Sequence, residues 1–330
     1  MLRYILKRIL LMVPTLFVIS VIAFIVIQLP PGDFLTSYIN NRAAEGTLIS
    51  NEEITNLRMQ YGMDKPMINQ YFIWIGSILK GDYGYSFLYR RPVSELIWER
   101  LVLTFVISLV TLLFTWVIAF PVGIFSAVKQ YSLGDYVATA FGFLGLSIPN
   151  FLFALVLMVL AFQYFGLSLS GLFSPDYVEA PWSLAKVGNL LQHLWIPVIV
   201  LGLSGTAGMI RTMRANLLDE LHKPYVTTAR AKGQSKFKTL LRYPVRAALN
   251  PFVSTIGYTL PNLVSGSIIV SVVLSLPTTG PLLLASLMAQ DMYLAGAYVL
   301  LLSSLTVVGT LVSDILLAWL DPRIRLSLRG

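Results

Sequence analysis

The chain has no cysteine among its 330 residues, which excludes disulfide scaffolds, thiolate metal sites and cysteine nucleophiles. Charge is also scarce: Asp, Glu, Lys and Arg make up 12% of the sequence, against the roughly 25% of an average soluble protein. There are two histidines, no HExxH and no GxxxxGK[ST] phosphate loop, so the sequence offers no usual means of hydrolysing ATP. Paired carboxylates within apolar stretches are missing too, and with them the ionisable midplane groups that proton- or sodium-coupled carriers usually need. What is abundant is apolar surface, at 56% of residues, gathered into runs that must be buried in lipid.

The first run extends from Ile9 to about Leu29, behind Arg3, Lys7 and Arg8. About 20 residues at 1.5 Å each cross a hydrocarbon core of roughly 30 Å. The run exceeds the ~7–15 residues of a signal-peptide core, and no small-x-small cleavage site follows, so a retained helix is expected. Five more runs lie near Leu101–Val128, Tyr136–Phe165, Leu190–Ile210, Pro251–Leu276 and Tyr293–Leu320. Four carry an internal proline (Pro121, Pro149, Pro197, Pro261), which lipid-embedded helices tolerate where neighbours satisfy the freed carbonyls. These prolines are read as kinks or as shapers of a central pathway, with Pro149-Asn150 and Pro261-Asn262 as the pathway candidates.

Between the first run and the rest, residues 30–100 mix charges of both signs with Gly, Pro, Asn and Tyr. Short helices are expected near Glu52–Gln60 and Met67–Leu79, the first capped by Ser50 or Asn51. The net charge is +8. Its distribution favours membrane orientation over nucleic acid: with the N-terminus inside, basic residues concentrate in inner segments, whereas the short outer loops hold only Lys186. Both termini are then cytoplasmic.

Gly202-Leu203-Ser204-Gly205 matches the GxSG of intramembrane serine proteases, but such a serine needs a base within reach. His193 lies on the same helix and His222 in the basic loop. Gly202, Gly205 and Gly208 read better as a small-residue packing face. The loop from Arg211 to Asn250 is too long for a simple connection. It contains amphipathic helical patches at Arg214–Leu221 and Tyr225–Lys232, a glycine at Gly233 where helices favour one, and a third basic helix at Lys236–Ala248. That arrangement is expected to dock a cytoplasmic partner rather than only to anchor on anionic lipid.

Tyr225-Val-Thr-Thr-Ala-Arg-Ala-Lys-Gly233, then Leu240-Leu-Arg and Ala247-Ala-Leu-Asn-Pro251, resembles the cytoplasmic coupling loop of ABC importer permeases, and in particular the dipeptide/oligopeptide permease family. The likeness runs through Pro31-Gly32-Asp33, Tyr61-Gly-Met-Asp-Lys-Pro66, Gln70-Tyr71, Gly81-Asp-Tyr-Gly-Tyr-Ser86, Arg91-Pro-Val93, Ser147-Ile-Pro-Asn-Phe151 and Asp321-Pro-Arg-Ile-Arg-Leu326.

The resemblance implies an all-α polytopic membrane protein of about six transmembrane helices, with the type I ABC importer permease fold. Its parts would be a first transmembrane helix (1–29), a small periplasmic region (30–100) and a five-helix permease domain (101–330) that includes the coupling loop 211–250. It implies a bacterial inner-membrane location, a second homologous permease subunit, two cytoplasmic ATPase subunits and a periplasmic substrate-binding protein. This chain would bind no cofactor, ATP and Mg belonging to the ATPases. The solute would be peptide-like, with oligosaccharides, glycosides or opines as alternatives; an ATPase-independent channel or carrier is the reading of another class. The coupling residues implied are Tyr225, Thr227, Thr228, Ala229, Arg230, Lys232, Gly233 and Pro251. Thr227 stands where the wider family carries a glutamate, so no salt bridge is expected from it. Ala229 would allow close approach, and Arg230 and Lys232 could pair with acidic groups on an ATPase.

Overall fold

The computed structural model describes residues 2–28, 39, 42–43, 46, 50–60, 65–86, 88–166, 170–254 and 268–320. Pro261 and Asn262 lie outside them, as do Pro31-Gly32-Asp33, residues 61–64 and the terminal Asp321–Leu326 motif.

The helices, in chain order, begin with α1 (Leu2–Gln28), α2 (Asn51–Gln60) and α3 (Met67–Leu79). A two-residue hairpin follows, β1 (Tyr85–Ser86) antiparallel to β2 (Arg91–Pro92). Next come α4 (Val93–Val128), α5 (Leu133–Ser147), α6 (Asn150–Phe165), α7 (Pro175–Val178) and α8 (Leu184–Leu221). The basic loop forms α9 (Pro224–Ala231), α10 (Lys236–Arg242) and α11 (Pro244–Ala248), and the chain continues through α12 (Ile268–Val273), α13 (Thr279–Met288) and α14 (Met292–Leu320).

Apart from that hairpin the described secondary structure is helical, and the fold is polytopic. Val93–Val128, Leu184–Leu203 and Met292–Ile315 are each long and apolar enough to cross a membrane, and Ile9–Ile25 and Asn150–Phe165 are shorter apolar stretches. The run expected at Tyr136–Phe165 is two helices rather than one. Proline has no N–H and disfavours helical geometry in the residue before it, so α5 stops at Ser147 and Pro149 becomes the N-cap of α6. Helix α4 starts at Val93, before the expected Leu101, because its first turns carry Glu95 and Glu99 paired to Arg91. Of the run at Pro251–Leu276, residues 255–267 are not described.

Helices α4 and α8 form the most extensive helix pair. From Thr104 onward the buried face of α4 is mostly small or polar, with Thr104, Ser108, Thr111, Thr115, Ala119, Gly123 and Ser126 beside Ile107 and Leu112. Phe105, Leu109, Leu113 and Val117 are exposed. This inverts the pattern of a soluble helix and suits lipid, where contact depends on close backbone approach rather than on burying large side chains. A Cβ on Gly123 would sit 2.8 Å from Met213 Cβ and 3.1 Å from the Ile210 carbonyl. On the facing helix, a Cβ on Gly202 would sit 2.7 Å from the Phe114 ring.

The expected glycine face of α8 is therefore partly realised. Gly202 and Gly205 meet α4, but Gly208 has nothing within 4 Å. Helix α5 packs on the same α8 and α1 packs on α14. A central core joins Ile107, Ala154, Ala161, Leu194, Ile196 and Val200 with Val270 and Leu274.

Gly123→Ala should therefore destabilise the protein by about 1–3 kcal/mol through overpacking. Gly208→Ala should leave the thermal midpoint in detergent unchanged, and equal midpoints for the two variants would contradict the seam.

Candidate functional site

At 38 residues, α8 is about 57 Å long at 1.5 Å per residue, almost twice a bilayer core of roughly 30 Å. Its second half must project beyond the membrane, and the projecting part leads straight into the basic loop. The expected separate patch at Arg214–Leu221 is therefore the end of α8 itself. The α8 extension packs through Met213 and Leu217 against Ala127 of α4 and against Val245, Ala248 and Phe252 after the loop.

Helix α9 opens on Lys223 with Pro224 at its first position, where a missing N–H costs nothing. Its hydroxyls are used internally: Thr227 and Thr228 both donate to the Pro224 carbonyl, at 2.8 and 2.9 Å. Thr227 thus closes its own helix turn. Ala229 is buried with Val226, so its small side chain packs within the chain. Arg230 and Lys232 are exposed, and neither is paired with a carboxylate among the described residues.

Gly233 ends the helix at φ +77°. Its N–H donates to Arg230 O at 3.0 Å and that of Gln234 to Ala229 O at 3.3 Å, the paired bonds of a Schellman turn. A Cβ there would meet open space, so backbone conformation alone calls for glycine. The basic helix expected at Lys236–Ala248 is broken at Tyr243, because Pro244 cannot donate into the preceding turn. Phe237, Leu241 and Tyr225 are exposed apolar groups among these basic residues. Pro251 lies exposed in a helical stretch at 250–254, which Ser313 of α14 grips by donating to Val253 O and Ser254 O, at 2.9 and 2.7 Å.

Glu220 forms the joint between α8 and α9. Its carboxylate accepts from Lys223 Nζ at 2.6 Å and from the Tyr225 hydroxyl. Burial opposes the charge, but these donors hold the carboxyl below its ordinary range. Burial and the adjacent carboxylate together push the Tyr225 hydroxyl up.

Two polar clusters escaped sequence reasoning. Asp135, 3% exposed, accepts from Arg214 Nε and Nη2 at 3.0 and 2.9 Å, from Tyr131 N at 2.9 Å and from the Ser126 hydroxyl. In sequence it reads as an ordinary acidic residue at a helix N-terminus.

At the opposite end of the bundle, fully buried Asp291 accepts from the Ser86 hydroxyl at 2.6 Å and Leu88 N at 3.3 Å, and from Leu294 N at 3.3 Å. The Gly81–Ser86 motif folds around this latch. Gly81 and Gly84 both have positive φ, and a Cβ on Gly84 would strike the Tyr293 ring at 2.5 Å. Lys186 is buried yet donates to Val178 O and Ala180 O, at 3.2 and 2.5 Å, beneath Phe173 and Trp182.

Pro149 and Asn150 sit at the α5–α6 break, beside α8: a Cβ on Gly145 would lie 3.3 Å from the Leu203 carbonyl. His193 is buried, with Nδ1 2.8 Å from Asn189 O. Eleven residues from Ser204 on one helix, it stands about 16 Å away along the axis, too far to serve as its base.

A polytopic helical bundle carrying an exposed basic helix on a projecting membrane helix has the form of a transport component. The chain belongs to the family described as binding-protein-dependent transport system inner membrane component, matched over residues 119–326, with the N-terminal module of the same systems matched over residues 1–109. It is 35% identical over 326 residues to the oligopeptide transport system permease protein AppB of Bacillus subtilis, covering 98% of this chain and 99% of that one. It is 31% identical over 326 residues to the oligopeptide permease protein OppB of Haemophilus influenzae, covering 98% and 100%. To the glutathione transport system permease protein GsiC of Escherichia coli it is 32% identical over 325 residues, covering 98% and 99%.

Because the folded-state pKa of Glu220 is depressed, the joint's contribution should be present above the ordinary carboxylate value of 4.5 and lost as pH falls below it. Glu220→Gln should mimic that loss at neutral pH, speeding amide exchange across α9 relative to intrinsic rates. Unchanged exchange in the variant would show that the joint does not order the helix.

Proposed function

We propose that this chain is one of two related permease subunits lining the pathway of an ABC importer for peptide-like solutes. It sits in a bacterial inner membrane with both termini cytoplasmic. Residues 30–100 face the periplasm and meet a substrate-binding protein. Two ATPase subunits, which hold the ATP and Mg, dock on α9.

The observation that carries this reading is the build of α9: short, basic and exposed, ended by a strain-free glycine turn, and mounted on the extension of a membrane-crossing helix. Arg230 and Lys232 are placed to meet acidic groups, while Phe237, Leu241 and Tyr225 supply apolar contact. Nucleotide-driven closure of the ATPases shifts α9, and the membrane helices exchange inward- and outward-open arrangements. A membrane-length apolar run interrupted by a proline break is the kind of element that lines a substrate path, which supports Pro149 and Asn150 as pathway residues. Pro261 and Asn262 are assigned there by sequence alone. Peptide-like cargo follows the relatives named for oligopeptides and glutathione.

In Gly233→Trp, uptake of a labelled tripeptide and of glutathione by the assembled importer should fall about tenfold or more, equivalent to ~1.4 kcal/mol of lost docking free energy. The ATPases should also copurify poorly. Full uptake with normal ATPase recovery would overturn the docking role of α9.

A further inference from the structure

Asp135, in the first turn of α5, and Arg214, on α8, are 79 residues apart in sequence and meet at the basic-loop end of the bundle. The carboxylate is almost wholly enclosed, and its four donors come from three different places. Ser126 lies in the last turn of α4, Tyr131 in the connection to α5, and Arg214 on α8 beyond its membrane-crossing half. The backbone N–H of Asp135 also donates to the Ser132 hydroxyl, at 3.2 Å. Tyr131 is held at φ +63°, a conformation uncommon outside glycine, so the turn is fixed in one geometry.

A bidentate guanidinium–carboxylate pair fixes orientation as well as distance. Breaking one when it is buried leaves an uncompensated charge, which makes it a stiff joint rather than a compliant one. The apolar contacts of Ala127 with Met213 and Leu217, and of those residues with Val245 and Ala248, continue the same attachment toward the loop.

We infer that the Asp135–Arg214 pair is a positioning joint that makes the end of α4, the start of α5, the projecting half of α8 and helices α9–α11 one rigid body. Displacement received at α9 then reaches α5 undiminished and is taken up at the break between Ser147 and Asn150. The inference rests on α9 as the ATPase docking helix, but the rigidity it asserts can be measured separately.

The absence of cysteine lets two introduced thiols be the sole labels on this chain within the assembled importer. Spin labels at Lys129→Cys and Lys236→Cys should give the same distance distribution without nucleotide and after trapping with ATP and vanadate. Labels at Lys129→Cys and Gln163→Cys, which straddle the break, should give different ones. In Asp135→Asn the 129–236 distribution should broaden or shift on trapping. Tripeptide carried per ATP hydrolysed should fall about tenfold, inside the ~5–150-fold range of allosteric couplings.

A 129–236 distance that moves with nucleotide in the native sequence would overturn the joint, as would an Asp135→Asn variant with unaltered distances and stoichiometry. A purely structural role would lower yield while leaving tripeptide per ATP unchanged in the complexes that assemble. Should Asp135→Asn fail to assemble, the native distances still decide, and Arg214→Lys retains the charge without the bidentate geometry. Failure of the docking reading looks different: Gly233→Trp would then retain its ATPases while the 129–236 distance stayed fixed.

Discussion

The close approach of α4 to α8 is the constraint on which the rest of the bundle depends. Lipid supplies no hydrophobic drive for one apolar helix to prefer another. The pair therefore relies on a seam rich in Thr, Ser, Ala and Gly that brings backbones together, while Phe105, Leu109, Leu113 and Val117 turn outward. Everything else is placed from that axis: α5 and α6 pack along α8, α13 meets α4 through the Thr104–Thr279 contact at 3.2 Å, and the basic loop folds back onto the α8 extension.

Polar locks appear at the two ends of this axis, where water and loops begin. The Asp135 cluster ties three elements at the basic end, and the Asp291 latch ties the 85–92 hairpin to the start of α14 at the other. Between them the described polar groups are mainly hydroxyls that bond a carbonyl one turn earlier, such as Thr206 to Gly202 and Thr310 to Thr306. Such bonds satisfy the hydroxyl without cross-linking helices, so the middle of the bundle holds together by shape while its ends hold by charge.

Hydropathy and charge made the helical class and the projecting basic loop legible, because long apolar runs and their basic flanks are local signals. Glycine at the end of α9 was legible for the same reason, since a turn needing positive φ leaves its mark at one position. The run at 136–165 reads as one kinked span because its hydropathy dips only briefly, at Ser147–Asn150, and it is the backbone chemistry of Pro149 that divides it into two helices. Asp135 and Asp291 were invisible because what distinguishes them is the distant residue each meets, Arg214 and Ser86, and no local pattern encodes that. The α4 seam was present in the spacing of Thr104, Ser108, Thr111 and Thr115, and it becomes readable once small polar residues are taken as the buried face.

Helix α14 is gripped near both extremities: by the Ser86–Asp291 bond where it begins, and by Ser313 on the 250–254 stretch close to where it ends. A strut clamped in this way has a thermodynamic obligation. A contact at the hairpin that shifted α14 along its axis would carry Ser313 against residues 250–254, and linkage would then give the reverse effect the same factor. In a strut held at both ends, neither end would be sole sender.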